Sequence, residues 1–418
     1  MSPVSRGRKS KRSNKRAKPC RSNPPEKVSA YRGPSVAPGS AAATLNRLLG
    51  PPERPSWFDE SIKRVLDNAR VVMSASGPRE LDQLTAELLG AELHRAVHRE
   101  RQGMWFGWWF AGLVEAETDR IEEAAGKSSA EPLLWLLHGL AAMAPPSLRS
   151  KLMAPNRAIT RSRELPPWLS EVPRLAATGE VCRMRDAYGT RSAVIAGFRY
   201  PDSGDRSVFL FDIDASGFVN LADAGVFDDA EQAATAWRTH VGDSAAHAPL
   251  KPVEDADDLM CVAHCNHGEE HLIRGNESRR LMDNWFRAQR RFDDLAEALR
   301  ERGMPLPAVE SLYHDVDATV MIEQFTAWFT DTHTTKPDPD AVDTLAGEWM
   351  EGALPETWYA ASPRRVEFQL ELIGDWTPDD PVTVAVKALM PDWVRWLGER
   401  AGLPEHLRVS AIEATRTA

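Results

Sequence analysis

Cysteine and histidine side chains crowd one short segment of the chain, CVAHCNHGEEH, which runs from Cys261 to His271. Thiolates and imidazoles are the ligands that tetrahedral zinc sites use. In a helix, Cys261 and Cys265 would share one face, as would the pair His267 and His271 in a following turn. The segment is therefore a candidate zinc site, whose ligands would be Cys261, Cys265, His267 and His271. Its spacing is unlike that of a zinc finger, because a single residue separates Cys265 from His267. Two other interpretations stay open: a buried cysteine pair beside exposed histidines, which the pattern favours, and a thiol nucleophile with His264 or His267 as its base.

Two aspartates close a strand-like run, and they offer a second metal site. Asp212 and Asp214 are two residues apart in VFLFDID, so a strand would place both carboxylates on one face, about 7 Å apart. Paired acids at the end of a strand hold Mg²⁺ in enzymes of phosphoryl and nucleotidyl transfer. The sequence Asp-Ala-Ser-Gly that follows is also a natural turn, and the turn is the favoured interpretation.

A third pair, His94 and His98, is separated by one helical turn, as in metalloprotease helices. The intervening residues are Arg-Ala-Val, so the glutamate of the H-E-x-x-H motif is missing. A solvated helix face is the favoured place for these histidines.

Charge is divided unevenly along the chain. The first 40 residues hold eleven Lys or Arg and one acid, whereas the whole chain holds 51 basic and 61 acidic side chains, so 40 basic and 60 acidic ones remain beyond residue 40. Flexible basic arms bind phosphate backbones without recognising bases. We therefore expect nonspecific contact with DNA or RNA through eight residues of the arm: Arg6, Arg8, Lys9, Lys11, Arg12, Lys15, Arg16 and Lys18. Alternatively, the arm could bind an anionic membrane or the protein's own acidic face, or serve only to keep the protein soluble.

Length and composition restrict the class of protein. A chain of 418 residues predicts two or three domains, and 42% hydrophobic with 27% charged residues is ordinary for a soluble protein. The longest apolar stretch, Met104–Val114, has 11 residues, about half of what a membrane span needs. The N-terminus has no apolar region of the kind a secretory signal carries. Four cysteines are too few for a disulfide framework, so we expect a cytoplasmic protein.

Apolar periodicity predicts a mainly α protein with a small antiparallel α+β domain. Helical spacing dominates both ends of the chain, and four short β-rich runs separated by turn residues lie between them. The predicted strands are Glu180–Tyr188, Arg191–Tyr200, Arg206–Asp214 and Gly217–Ala222, followed by a helix over Ala230–Val241. The predicted division is a disordered basic arm (1–39), a helical domain (40–175), an α+β meander domain (176–245), a linker with the Cys/His cluster (246–275) and a helical C-terminal domain (276–418).

Two helical segments carry more specific predictions. Asn276 is predicted to cap a long amphipathic helix that ends near Arg302. Acids alternate with four arginines along that helix and predict a solvent-exposed face: Arg287, Arg290, Arg291 and Arg300. Trp105, Trp108 and Trp109 share a helix face, for which core packing is favoured over stacking on bases or ligands.

Near the C-terminus, Val366–Leu372 alternates as a strand would, but Ser362-Pro363 is a good helix start and a helix is favoured. The segments Glu371–Pro378 (ELIGDWTP), Ala388–Trp396 (ALMPDWVRW) and Arg400–Pro404 (RAGLP) together resemble a module that recurs in uncharacterised actinobacterial proteins. That resemblance implies a helical end to a soluble bacterial protein, and the family has no known activity to transfer.

Two functional hypotheses result. The first is a non-enzymatic binding or regulatory protein that is tethered to nucleic acid by its arm and engages a protein partner with its body. The alternative is a metal-dependent enzyme, a hydrolase or a phosphoryl or nucleotidyl transferase, that uses the Cys/His cluster or the Asp-x-Asp pair.

Overall fold

The computed structural model describes residues 55–99, 105–124, 130–159, 165–265, 275, 277–308, 312 and 316–416. Helices form both ends of this described part of the chain, and a five-stranded antiparallel sheet lies between them. The predicted fold class, mainly α with a small antiparallel sheet, is confirmed.

In the part of the chain that the structure describes, five α-helices precede the sheet and pack around a common apolar interior. They are α1 (Trp57–Asp67), α2 (Pro78–Arg99), α3 (Phe106–Glu123), α4 (Glu131–Met143) and α5 (Pro146–Ile159). Their apolar side chains contribute nearly half of a first core, in which α4 is buried on every side. Trp109 is fully buried there and stacks on Phe286, with ring centroids 6.2 Å apart, and Trp105 and Trp108 pack against the same core. The prediction of core packing for the tryptophan stripe is thus confirmed.

The sheet is a meander, as predicted, with strand order β4-β3-β2-β1-β5. Its strands are β1 (Ala176–Arg185), β2 (Arg191–Arg199), β3 (Arg206–Asp214), β4 (Asn220–Phe227) and the two-residue β5 (Lys251–Pro252). The fourth strand begins three residues later than predicted, because the turn after β3 extends through Phe218. Asp214 accepts a hydrogen bond from the Ser216 amide in that turn, and Phe218 packs on Phe368 with ring centroids 5.3 Å apart.

Alternating side chains cover the sheet on both faces. Val194, Phe209 and Phe211 lie on the face that joins the first core. Ile195 and Leu210, on the opposite face, pack against helix α6 (Ala230–Val241), which places Trp237 in a small third core. Helix α6 has the predicted bounds, because Asp229 caps its first turn by accepting a hydrogen bond from the Gln232 amide.

Helix α7 (Met260–Ala263) is a single turn, and it is followed by the long helix α8 (Arg279–Glu301). Ser278, rather than Asn276, caps α8, and its side chain accepts a hydrogen bond from the Leu281 amide at 3.0 Å. The apolar stripe of α8 packs against α2 and against the sheet, so this helix completes the first core. The boundary predicted at residue 276 therefore falls in front of a helix that packs with the N-terminal ones.

The last helices surround a second core that is rich in tryptophan. They are α9 (Thr319–His333), α10 (Pro339–Met350), α11 (Pro363–Gly374), α12 (Pro381–Arg400) and α13 (Glu405–Ala414). The segment Val366–Leu372 is helical, and Ser362 caps α11, as predicted. Tyr188, in the turn after β1, donates a hydrogen bond to the Leu407 carbonyl at 2.9 Å and joins this core to the sheet. Within the described residues, no helix combines the length and apolarity that crossing a bilayer requires.

Candidate functional site

The Asp-x-Asp pair lies at the end of β3, where both carboxylates face one arginine. Asp212 is 0% exposed, and it receives a bidentate ion pair from Arg191 of β2: Nε is 2.6 Å from Oδ1 and Nη2 is 2.8 Å from Oδ2. The indole Nε1 of Trp237 donates a third hydrogen bond to Oδ1 at 2.9 Å. Asp214 lies farther out, with its Oδ2 3.7 Å from Nη1 of the same guanidinium. The cation that these carboxylates hold in this structure is Arg191.

Arg191 and the two aspartates stabilise each other's charged forms. Burial by itself lowers the pKa of the Arg191 guanidinium, but the charges of Asp212 and Asp214 outweigh burial and raise it. A carboxylate removed from water needs hydrogen-bond donors or an opposite charge at its oxygens to offset the lost hydration. Arg191 and Trp237 supply it, one from the neighbouring strand and one from α6. The arrangement therefore fixes α6 to the sheet.

A second buried carboxylate extends this polar layer into β4. Asp223 lies opposite Asp212 in the antiparallel register and is itself buried. Its Oδ2 accepts a hydrogen bond from Nε of Arg280 at 2.9 Å, and Nε2 of His240 is 3.7 Å from the same oxygen. Side chains from α6 and α8 thus meet on one carboxylate of an edge strand. Sequence reasoning did not single out Asp223, Arg280 or His240.

The cysteines of the Cys/His cluster are buried. Cys261 lies in α7 and Cys265 just after it, and both belong to the first core. Burial raises the pKa of the Cys261 thiol to about 12 and that of the Cys265 thiol well above its usual range. Burial also lowers the pKa of His264. Neutral thiols are poor nucleophiles and poor metal ligands, and this environment matches the interpretation of a buried cysteine pair. His267 and His271 lie outside the described residues. Within the described ranges, His, Cys, Asp and Glu form no group of three or more that could hold a metal ion.

The middle of α8 carries buried charged side chains, which the sequence led us to expect at the surface. Arg287 is 1% exposed and Arg291 is 2% exposed, so the prediction of a solvent-exposed face is wrong for both. Nη1 of Arg287 lies 3.3 Å from Asp82 of α2, and Nη1 of Arg291 lies 3.2 Å from Asp294. These residues flank the apolar stripe at helical spacing, and α8 buries a wider arc than the stripe alone indicates.

A cleft of about 610 Å³ opens beside this cluster, at the N-terminus of α2. Gln83 and Arg287 line it, and Nη2 of Arg287 donates a hydrogen bond to Oε1 of Gln83 at 2.9 Å. Arg79, Glu80 and Asp205 also line it, so both signs of charge surround the opening.

Two further ionisable side chains are buried in the first core. Glu117 of α3 is fully buried, and neither carboxylate oxygen has a hydrogen-bond partner among the described residues. Burial raises the pKa of Glu117 well above its usual range, so its carboxyl group is protonated where an exposed glutamate is charged. Burial lowers the pKa of His138, in α4, to about 4. The sequence gives no sign of either, since both lie in amphipathic or apolar helical runs.

The eight arm residues predicted to contact nucleic acid, from Arg6 to Lys18, lie outside the described residues. In the described body, four arginines whose side chains reach solvent pair with acids: Arg79 with Asp228, Arg120 with Asp67, Arg174 with Asp202, and Arg395 with Asp392. No family model, no curated protein and no solved structure matches the chain.

Proposed function

We propose that this chain is a non-enzymatic binding protein, held on DNA or RNA by its basic N-terminal arm while the folded body engages a protein partner. The observation that carries the proposal is the charge division: eleven basic side chains and one acid in the first 40 residues, against 40 basic and 60 acidic side chains in the rest. Contact with phosphates by such an arm releases counterions and needs no folded recognition surface.

The ion pairs of the body support assigning the contact to the arm. Arg79, Arg120 and Arg174 each lie next to a carboxylate on the surface. A guanidinium paired in this way has to give up its partner before it contacts a phosphate, and the acidic excess of the body repels a polyanion. We therefore expect the arm to supply nearly all of the affinity, so that the contact tethers the protein rather than orients it.

The side chains of the enzyme alternative fit other roles better. Asp212 accepts hydrogen bonds from Arg191 and Trp237, and burial raises the pKa of the Cys261 thiol. These surroundings suit an ion pair and a buried thiol better than they suit ligands of a metal ion. The binding proposal, with the chain in the cytoplasm of a bacterial cell, is therefore the one we carry forward.

Fluorescence anisotropy with random-sequence duplex DNA and single-stranded RNA tests the proposal at 50 mM salt. Deletion of residues 1–27 removes most of the arm's charge, and we expect affinity to fall at least about 100-fold, because 6–10 phosphate contacts account for several orders of magnitude. The melting temperature should stay nearly unchanged, since the deletion removes no part of the described cores.

A matched control removes basic charge from the body instead. Arg199 and Arg206 are both exposed and face each other across the β2–β3 hairpin. The variant R199Q/R206Q should bind within about twofold of the unmodified chain. Unchanged affinity after the deletion, or an equal loss in the R199Q/R206Q control, contradicts the assignment to the arm. Binding to anionic vesicles that exceeds binding to nucleic acid would make a membrane surface the target.

A further inference from the structure

His94 and His98 lie one turn apart on α2, outside every site described above. Their Nε2 atoms are 2.9 Å apart, and their ring planes meet at 70° with centroids 4.3 Å apart. His98 is exposed and His94 is half-buried, so solvent reaches the two facing nitrogens.

The backbone that carries the pair is held firmly in place. Leu93, Ala96 and Val97 alternate with the histidines along α2 and are buried in the first core. One turn before His94, α8 approaches so closely that a Cβ on Gly90 would lie 2.4 Å from Cα of Asp283. Two ligands on a fixed helix lose little conformational freedom when they bind a common ion.

The separation of the nitrogens matches a chelate. Metal–imidazole bonds of about 2.0–2.1 Å place two nitrogens at a right angle about 2.9 Å apart, whereas a tetrahedral angle separates them by about 3.3 Å. Right-angled nitrogen and oxygen ligation is the preference of Cu²⁺ and Ni²⁺, and Cu²⁺ leads the affinity order of the divalent ions. We propose that His94 and His98 form a binding site for a divalent transition-metal ion, with Cu²⁺ bound most tightly and water in the remaining positions.

The surroundings of His94 favour the neutral form of its ring, which is the form that binds metal. Burial, the neighbouring His98 and the charge of Arg279 lower the pKa of His94, so this ring is neutral at lower pH than an isolated histidine. Arg279 is itself paired with Asp283, with Nε 2.6 Å from Oδ1, which reduces its repulsion of a bound cation. Without metal, the 2.9 Å separation is a hydrogen bond in which one Nε2–H donates to the other ring. Metal binding requires both Nε2 atoms unprotonated, so the proton of the donor ring passes through solvent to its Nδ1.

Calorimetric titration of the full chain with Cu²⁺, Ni²⁺ and Zn²⁺ tests the site, and electron paramagnetic resonance of the Cu²⁺ form identifies its ligands. We expect affinity in the order Cu²⁺, Ni²⁺, Zn²⁺ and hyperfine coupling to two imidazole nitrogens. H94N and H98N should each lower the Cu²⁺ affinity at least about 10-fold, because mutation of a residue that only hydrogen-bonds to a metal ligand already costs that much. Both side chains are accessible to solvent, so these variants are expected to fold, and circular dichroism checks that they do.

Two controls separate this site from other histidines. H406N alters an exposed histidine of α13 and should leave Cu²⁺ affinity unchanged. H267N/H271N alters the histidines of the Cys/His cluster and should also retain the bound ion. Loss of binding in H267N/H271N with retention in H94N, or a thiolate-to-metal charge-transfer band in the Co²⁺ form, overturns the proposal. Equal binding by the unmodified chain and the H94N/H98N double variant overturns it as well.

Discussion

Replacing Asp212 should unfold the sheet at a much lower denaturant concentration, and the structure indicates by how much. In D212A the guanidinium of Arg191 loses two short hydrogen bonds, at 2.6 and 2.8 Å, and the indole of Trp237 loses its acceptor. Breaking a buried ion pair from one side costs about 3–5 kcal/mol, and loss of a hydrogen bond to a charged group costs about 1.5–3 kcal/mol. These two effects overlap, so we expect the free energy of unfolding to fall by about 4 kcal/mol.

Urea denaturation followed by circular dichroism measures this change, and three further variants isolate its cause. D214N alters the outer carboxylate, 3.7 Å from the guanidinium, and should cost less than about 1 kcal/mol. The pair R191M/D212L replaces both charges with apolar side chains and should be far less destabilised than the sum of its single variants. W237F tests the indole bond separately. Strict additivity in R191M/D212L, or a D212A variant as stable as the unmodified chain, would refute the buried pair as a stabilising unit.

Three further predictions concern the first core. Glu117 has a raised pKa in the folded chain, so the stability of the unmodified protein relative to E117Q should fall as pH rises above about 4.3. The loss should reach up to about 1.4 kcal/mol per pH unit until the pH equals the pKa of Glu117 in the folded chain. Stability profiles that run parallel against pH for the two proteins would contradict this. His138, with a pKa of about 4, should cost the folded chain stability relative to H138Q as pH falls from about 6.5 to about 4, by about 3 kcal/mol in all; thermal melts across that range measure it. G90A should destabilise by about 1–3 kcal/mol, although alanine favours a helix by about 1 kcal/mol, because the new Cβ would lie 2.4 Å from Cα of Asp283; a stabilised G90A variant would contradict the close packing of α2 on α8.

Local signals in the sequence predict the elements well where caps and turns define them. Helix α6 begins after Asp229, which caps it, and ends at Val241, before Gly242, whose φ is 85°. The start of α11 at Ser362-Pro363 is equally well marked. These signals act through hydrogen bonds between residues close in the chain, so they can be recognised from the sequence alone.

The candidate site depends on contacts between distant residues, and there the sequence is a weaker guide. Asp212 meets Arg191 from 21 positions away, and the partner turns a candidate metal ligand into half of an ion pair. Arg287 flanks an apolar stripe, and its burial follows from the approach of α2, some 200 positions earlier. Periodicity shows which arc of a helix is apolar but not how much of the charged flank a neighbouring helix covers. The burial of Glu117 cannot be recognised from the sequence for the same reason.

The salt dependence of nucleic-acid binding tests the central claim most directly. We compare the unmodified chain with a variant in which the eight basic residues from Arg6 to Lys18 are glutamine, and measure affinity for random-sequence DNA between 50 and 200 mM salt. Each phosphate contact contributes about −0.9 to the slope of log affinity against log salt. The account predicts a slope near −7 for the unmodified chain if all eight residues make contact, and a slope close to zero for the glutamine variant. Equal slopes for the two proteins would contradict it.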